Sequence, residues 1–551
     1  MYPWQSPELV GLEAINLTTS GDFFNNTSKR NLTGRGRNPV KIDNDIVKCS
    51  IHKNKNSSSG GFSLVLKRGN TESGGVTTGN NIDYLRLINP GDWIAIYMKK
   101  DDDIPFDGIG SNREDSGLKM LGIVENVRFV EIDDPNQGTP RLEYVVTGRD
   151  FGKVFENEIF YNPVINSVRG IQNVLGISFL QNAEAQMGNK AKGSFLPPNE
   201  VVNNMIDFYL GGDGNLSSST NQLWFVPPTV TKMMGVSGNT SFVSMLDKSR
   251  IGLQIYRNGV FRSAGDLLGE TQARSLPYEG SVWSALQQYS NPVLNEMIVD
   301  LTNKNGRLVP SFQLRQVPYS SKSNSGTYVY NRSPVSALSS VVSNSEKTFL
   351  LDLPRHTIKS TDIKQKNVGT SDFERVNAVV VVPNIPTGQE SKPIQQAYAM
   401  ALNGPSIQRY GLKLLQANTI YNYTTDVDFT QYVSKITSLV SDWFMTAHLL
   451  YNGTIVTDGT DEFVEIGTNL VVEDVNQLFH IEGISYMYEI NPNTGNTIYN
   501  TEFRVSRGQL VNDNISKSDF IGSPVELSSD QGVTVTTTSL ENIRNRDRRD
   551  R

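Results

Sequence analysis

Cysteine is almost absent from this chain. Cys49 is the only one in 551 residues, so no intramolecular disulfide and no cysteine-based metal cluster can form, which suits assembly in a reducing cytoplasm. Histidine is scarce too. His52, His356, His448 and His480 stand apart, with no His-Glu-x-x-His spacing, so no zinc site is expected. No apolar run reaches the length of about 18 residues that a membrane-spanning helix needs. The start, Met1-Tyr2-Pro3-Trp4, carries neither a basic nor an apolar segment and is not read as a signal peptide. Neither sign of charge dominates: a net charge of −6 gives no electrostatic case for nucleic acid as the default partner. A phosphate-cradling Gly-x-x-x-x-Gly-Lys-Ser/Thr loop and a Gly-x-Ser-x-Gly nucleophile elbow are both missing.

What is there is a β-module written twice. Gly91-Asp92 opens the apolar run Trp93-Ile94-Ala95-Ile96, a strand carrying Glu125 follows, and an alternating strand closes at Gly148-Arg149-Asp150. Gly467-Thr468 opens Asn469-Leu470-Val471-Val472, a strand carrying Glu482 follows, and an alternating strand closes at Arg507-Gly508. Arg149 lies 24 positions after Glu125, and Arg507 lies 25 after Glu482. The polar insert 99–117 lengthens the opening interval of the first copy. Two copies of one module per chain let three chains place six similar units around an axis.

At roughly 100 to 200 residues per domain, this length needs several cores. The reading is a mainly β chain with α+β insertions: two similar β-barrel, tube-like domains plus α/β and helical domains. Residues 1–43 are polar and aperiodic and read as an extended arm lying on a neighbour. Residues 44–160 form β-barrel one, where Phe62, Leu64 and Leu66 alternate with Ser63 and Val65. A mixed helical and loop insertion follows over 161–265, with Val202, Met205, Ile206 and Tyr209 on one helical face. An α/β domain occupies 266–345. There Val282, Trp283, Leu286 and Tyr289 line a helix, and the strand 296–300 can pair with 311–315. β-barrel two starts within 346–391, at the β-branched run 377–382. A helical insertion over 392–450 shows Phe429, Val433, Ile436, Val440 and Trp443 at helical spacing. The remainder of barrel two spans 451–510, and 511–551 reads as a flexible tail.

Chemistry-bearing residues are sparse. Asp101-Asp102-Asp103 with Asp107 lacks the carboxylate a calcium loop needs at its twelfth position, where Asn112 stands. Glu156 with Glu158, and Asp461 with Glu462, lack an apolar pocket to set one carboxyl apart for acid catalysis. No catalytic, cofactor or metal residue is assigned, and the chain is not read as an enzyme. Glu125 with Arg149, and Glu482 with Arg507, are candidate barrel-closing or interface pairs; surface charges near turns are the alternative. The terminal Arg544, Arg546, Arg548, Arg549 and Arg551 stand among three acids from 541 onward. They read as a peptide that docks on a protein partner, in preference to a nucleic-acid contact.

Several short elements follow one another along the chain: Gly148-Arg149-Asp150; Asn295-Glu296 through Asp300 with Val309-Pro310; Leu314-Arg315-Gln316-Val317-Pro318-Tyr319; Phe373-Glu374-Arg375-Val376-Asn377; Arg409-Tyr410-Gly411; and Arg507-Gly508. Across about residues 44 to 510 this order resembles the baseplate hub proteins of contractile-tailed bacteriophages and related tail-like injection machines. The resemblance implies a structural homotrimer with a pseudo-sixfold ring, joining a sixfold tail tube to a threefold central spike. It further implies neighbouring baseplate proteins as partners, a channel for transient DNA passage at ejection, and a place in the virion after assembly in the host cytoplasm. The N-terminal arm and the arginine-bearing tail depart from the family pattern. Two other readings remain, a tail-associated peptidoglycan hydrolase and a β-rich adhesin.

Overall fold

The computed structural model describes residues 46–67, 84–98, 117–132, 141–157, 242–251, 280–290, 295–304, 306–317, 353–384, 398–420, 450–490 and 497–510. It also gives the backbone of 12–15, 40–42 and 533–538, and isolated positions between 202 and 230 and between 437 and 448. In chain order the strands are β1 (Leu12–Ile15), β2 (Val40–Ile42), β3 (Ile46–Asn54), β4 (Gly61–Lys67), β5 (Trp93–Tyr97), β6 (Leu118–Ile132) and β7 (Arg141–Asp150). A hairpin of β8 (Asn295–Lys304) and β9 (Arg307–Gln316) follows, then β10 (Arg355–Ile358), β11 (Ile363–Gly369), β12 (Ala378–Asn384), β13 (Tyr398–Asn403) and β14 (Leu414–Ile420). The last are β15 (Tyr451–Asp458), β16 (Asn469–Val472), β17 (Gln477–Ile490), β18 (Thr497–Leu510) and β19 (Val533–Thr538).

The chain is mainly β, and its two similar modules share one 13-stranded sheet. Module one pairs in the order β5-β6-β7-β4-β3, and module two in the order β16-β17-β18-β15-β11, every contact antiparallel. The strand order is the same. The fine structure repeats as well. Gly91 donates to the carbonyl of Val124 at 2.8 Å and Val124 donates back to Asp92 at 2.9 Å. In the second copy Gly467 donates to Ile481 at 3.0 Å and Ile481 to Thr468 at 2.9 Å. Both opening glycines sit at positive φ, 93° and 77°, where a Cβ would be strained. Each copy also interrupts its first strand pair at one place, between Ile46 and Lys48 against β4 and between Ile363 and Gln365 against β15.

Period-2 patterning explains the layering. In β4, Phe62, Leu64 and Leu66 are buried, as alternation places them on one face. All five residues of β5 are buried because its two faces serve two cores. Ile94 and Ile96 point into a core common to both modules, with Leu64, Val146, Leu470, Ile484 and Phe503. Trp93, Ala95 and Tyr97 point into a second core with Phe155, Phe242, Leu286 and Phe312. That second core is where the α/β unit packs. Each Leu, Ile, Val or Phe side chain so withdrawn from water contributes about 1.5–3 kcal/mol.

The α/β unit contains helix α1 (Val282–Tyr289), capped by Ser281 through a hydrogen bond from the Ser284 amide. Its hairpin sets Glu296 opposite Arg315 and Asp300 opposite Ser311. Of the face expected near residue 205, Val202, Met205 and Ile206 are fully buried, while Tyr209 lies outside the described residues.

Three expectations need correcting. The run near 378 does not open module two: β12 is the middle of a separate sheet, ordered β14-β12-β13-β19. Continuous β-branched residues suit any strand buried on both faces, so the run could not name its sheet. Part of the segment 511–551 is structured, because β19 adds antiparallel to β13; its Val-Thr sequence favours a strand wherever an edge is open. Within 1–43, β1 and β2 pair with each other and β1 with β5, adding to the module's own sheet. Phe429, Val433, Ile436 and Trp443 lie outside the described residues, as does the insert up to 116; Val440 is buried.

Candidate functional site

Where the modules meet, β3 of the first pairs antiparallel with the C-terminal half of β17 of the second, with Ile51 opposite Tyr486 and Cys49 opposite Tyr488. A buried ionic network crosses this junction. Continuing the alternation of Cys49 and Ile51 turns Lys53 inward as well. Lys53 meets Asp300 of the hairpin at 2.6 Å, and Lys55 meets Glu296 at 2.9 Å and Glu482 at 2.7 Å. Arg315 clamps Glu296 from the other side at 2.6 Å. It also donates to the Gly467 carbonyl. Asp300 accepts from the amides of Leu301 at 2.8 Å and Ile466 at 3.2 Å. Three units of the chain are held by one set of charges.

The network sets its own protonation. Burial pushes the Glu296 carboxyl up, but the charges of Lys55, Arg315 and Arg507 outweigh it and hold the group at about 2. Glu482, likewise opposed by burial, is held below the usual carboxylate range by Lys55 and Arg507. Burial, reinforced by Lys55, Arg507 and Arg315, keeps His480 neutral, and its Nε2 faces the Lys55 ammonium at 3.2 Å. Removing one partner of such a buried set costs about 3–5 kcal/mol, because the other charge stays behind unpaired.

Of the four candidate pairing residues, the two glutamates sit at matched places in the two modules and the two arginines do not. Glu125 occupies a register shift between Val124 and Asn126, and Glu482 one between Ile481 and Gly483. Both are bulge residues of equivalent strands. Arg149 lies 3.4 Å from Glu125 and also pairs with Glu156, while Lys153 reaches Glu125 at 3.1 Å. In module two, the residue 24 positions after the bulge is Ser506, whose hydroxyl donates to Glu482 at 2.5 Å. Arg507 is therefore displaced by one from the position of Arg149. The displacement has a cause: a second shift, between Leu478 and His480, leaves an extra residue on β18, and Arg507 takes a left-handed φ of 55° there. Its amide donates to the Asn452 side chain at 3.1 Å.

Gly148-Arg149-Asp150 has a structural explanation at each position. A Cβ on Gly148 would lie 2.2 Å from the Ile123 carbonyl and 2.6 Å from the Phe62 ring. Asp150 is buried and accepts from Gly60 at 2.7 Å and Gly152 at 2.8 Å, closing the strand onto the following turn. Burial raises its carboxyl to about 7.

Sequence reasoning missed Lys53, Lys55 and Asp300 as a set. The signal was present: lysines on the inward phase of an apolar strand, and carboxylates at 296 and 300 on the phase of Ile298. Among the described residues no group of three His, Cys, Asp or Glu side chains is placed to hold a metal. Burial lowers His448 to about 4, with Arg375 adding to the effect and Asp372 opposing it. Of the carboxylate pairs, Asp461 and Glu462 lend their backbone carbonyls to the Lys119 ammonium at 3.0 and 2.6 Å. Glu158 and the arginines from 544 onward lie outside the described residues.

No family model and no curated protein sequence matches the chain. Among solved structures it is similar to a tail protein from Neisseria meningitidis, at 10% identity and TM-score 0.37, covering 87% of this chain and 96% of that one. It is similar to a prophage tail protein from Shewanella oneidensis at 11% identity and TM-score 0.37, covering 85% and 96%. A type VI secretion component of Escherichia coli follows at 7% identity and TM-score 0.29, covering 84% and 73%.

Proposed function

We propose that the chain is the structural hub of a contractile phage or phage-like tail, a homotrimer in which six modules surround a channel. The observation that carries this reading is the pair of modules with one strand order, matched bulges and matched opening turns, fused edge to edge within a chain. A sixfold tube needs six near-equivalent docking surfaces and a threefold spike needs three. A chain with two copies of one module meets both demands when three copies assemble.

The buried network makes each chain a rigid arc, since Lys53 and Lys55 tie module one to the hairpin and to module two at once. The tube, the central spike and neighbouring baseplate proteins bind through exposed edges and inserted loops. DNA passes at ejection with no sequence readout, and the weakly acidic balance disfavours its retention. No step of this work requires a catalyst or cofactor. Native mass measurement of the purified chain, alone and with its tube and spike partners, tests the proposal: a trimer supports it, and a monomer that persists with both partners present contradicts it. A lytic band on a peptidoglycan gel would favour the hydrolase reading instead.

A further inference from the structure

The internal junction is a template for the contact between copies. Within one chain, the outer edge of β3 fills the open half of β17. The repeat supplies the same two edges a second time. β11, the counterpart of β3, is paired only with β15, and β6, the counterpart of β17, is paired only with β7 beyond Ile123. Among the described residues both edges therefore present unpaired backbone, which favours addition of a strand.

Resting on the trimeric reading, we propose that β11 of one copy adds antiparallel to the 126–132 half of β6 in the next. Matched landmarks fix the register. Glu482 corresponds to Glu125 at the bulge, and Cys49 corresponds to Lys366, because each lies opposite an equivalent residue, Leu64 or Ile455. Carrying the internal pairs across sets Phe129 opposite Val368, as Tyr486 lies opposite Ile51, and Glu131 opposite Lys366, as Tyr488 lies opposite Cys49.

Side chains favour this register independently of the backbone. Both copies hold an aromatic residue at the same position. Tyr486 is fully buried, while Phe129 is 42% exposed and rests on Tyr144 at a ring separation of 5.2 Å. Its opposite number changes only from Ile51 to Val368, so the missing cover is another β-branched residue. The register also matches Glu131 with Lys366, a cross-strand pair of opposite charge. A related pair, Lys48 with Glu489 at 3.2 Å, sits one position further along the internal junction. Within the chain Lys366 bonds to Gln477 and lies over the Phe479 ring, while Asp474 supplies nearby negative charge. A head-to-tail contact that repeats the internal one closes into a ring.

Cross-linking of the full chain tests the register. Glu131→Cys and Lys366→Cys are combined in one chain and treated with a short bis-maleimide; buried Cys49 does not compete. The double variant is expected to yield linked dimers and a closed linked trimer, and an equimolar mixture of the two single variants linked dimers only. As a second measurement, Glu131→Lys weakens assembly by up to about fivefold per edge, and adding Lys366→Glu restores it. A trimer by native mass that neither cross-links nor responds to the charge swap overturns this register and leaves the adaptor standing. A chain that stays monomeric with its tail partners present overturns the adaptor reading as well.

Discussion

Glu125 and Glu482 are the same residue of the same bulge in two copies of one module, and each is met by the side chain 24 positions later, Arg149 in one and Ser506 in the other. The copies have diverged in what surrounds that bulge. Both side chains are half-buried, but Glu125 has Arg149 and Lys153 beside it, whereas Glu482 has joined Lys55 in the network at the module junction. One position pairs within its own module and the other is part of a joint between units. Predictions about stability follow from that joint.

Glu296→Gln is expected to destabilise the protein by about 3–5 kcal/mol near neutral pH, because Arg315 loses its buried counter-charge and Lys55 keeps only Glu482. Glu296 is held at about 2, below its ordinary 4.5. Its contribution is thus complete above the ordinary value and is lost as the pH falls toward 2. Urea unfolding across the acid range should show the variant's deficit shrinking from about pH 5 downward. A deficit independent of pH would refute the charge account.

Lys53→Met leaves Asp300 buried without its cation and is expected to cost about 3–5 kcal/mol. Adding Asp300→Asn should recover much of that loss, since the amide oxygen still accepts one of the two backbone bonds now made to Leu301 and Ile466. A double-mutant cycle by chemical denaturation measures the coupling. Additive effects would mean the pair contributes no specific interaction.

The pairing pattern of this joint was partly legible in sequence. The repeat was visible because its glycine turns and apolar runs are local, and the 296–300 strand with its partner at 311–315 announced itself by hydrophobic content at short range. The junction was not, because β3 and β17 are separated by more than four hundred residues and nothing local says which edges meet. The one-residue offset between Arg149 and Arg507 was visible as a spacing of 24 against 25. Its meaning needed the second bulge, since counting positions cannot tell an inserted bulge residue from a longer loop. The 377–382 run joins a different sheet from the one its composition suggests for the same reason. β propensity identifies a strand and leaves its neighbours open.

Gly148→Ala is expected to destabilise module one by about 1–3 kcal/mol, through overpacking against the Phe62 ring and the Ile123 carbonyl. Phe62→Leu should not rescue it, because the obstructing carbonyl belongs to the backbone. Thermal unfolding of the single and double variants checks this. Full rescue would place the obstruction in the ring alone.

Cys49 is fully buried, and burial pushes its thiol well above the ordinary range. A thiolate-selective reagent should leave it unmodified in the native chain and label it once the protein unfolds. Labelling therefore reports the opening of β3. Rapid modification under native conditions would contradict the packing described for module one.

The central claim is that three chains, each contributing two matching modules, form one sixfold-like ring. A density map of the assembled protein tests it most directly. The account predicts three copies around a single channel, with six modules at near-equal angular spacing and the β3–β17 contact inside each chain mirrored between chains. A map in which the two modules lie at different radii, or in which the copies share no common pore, would contradict it.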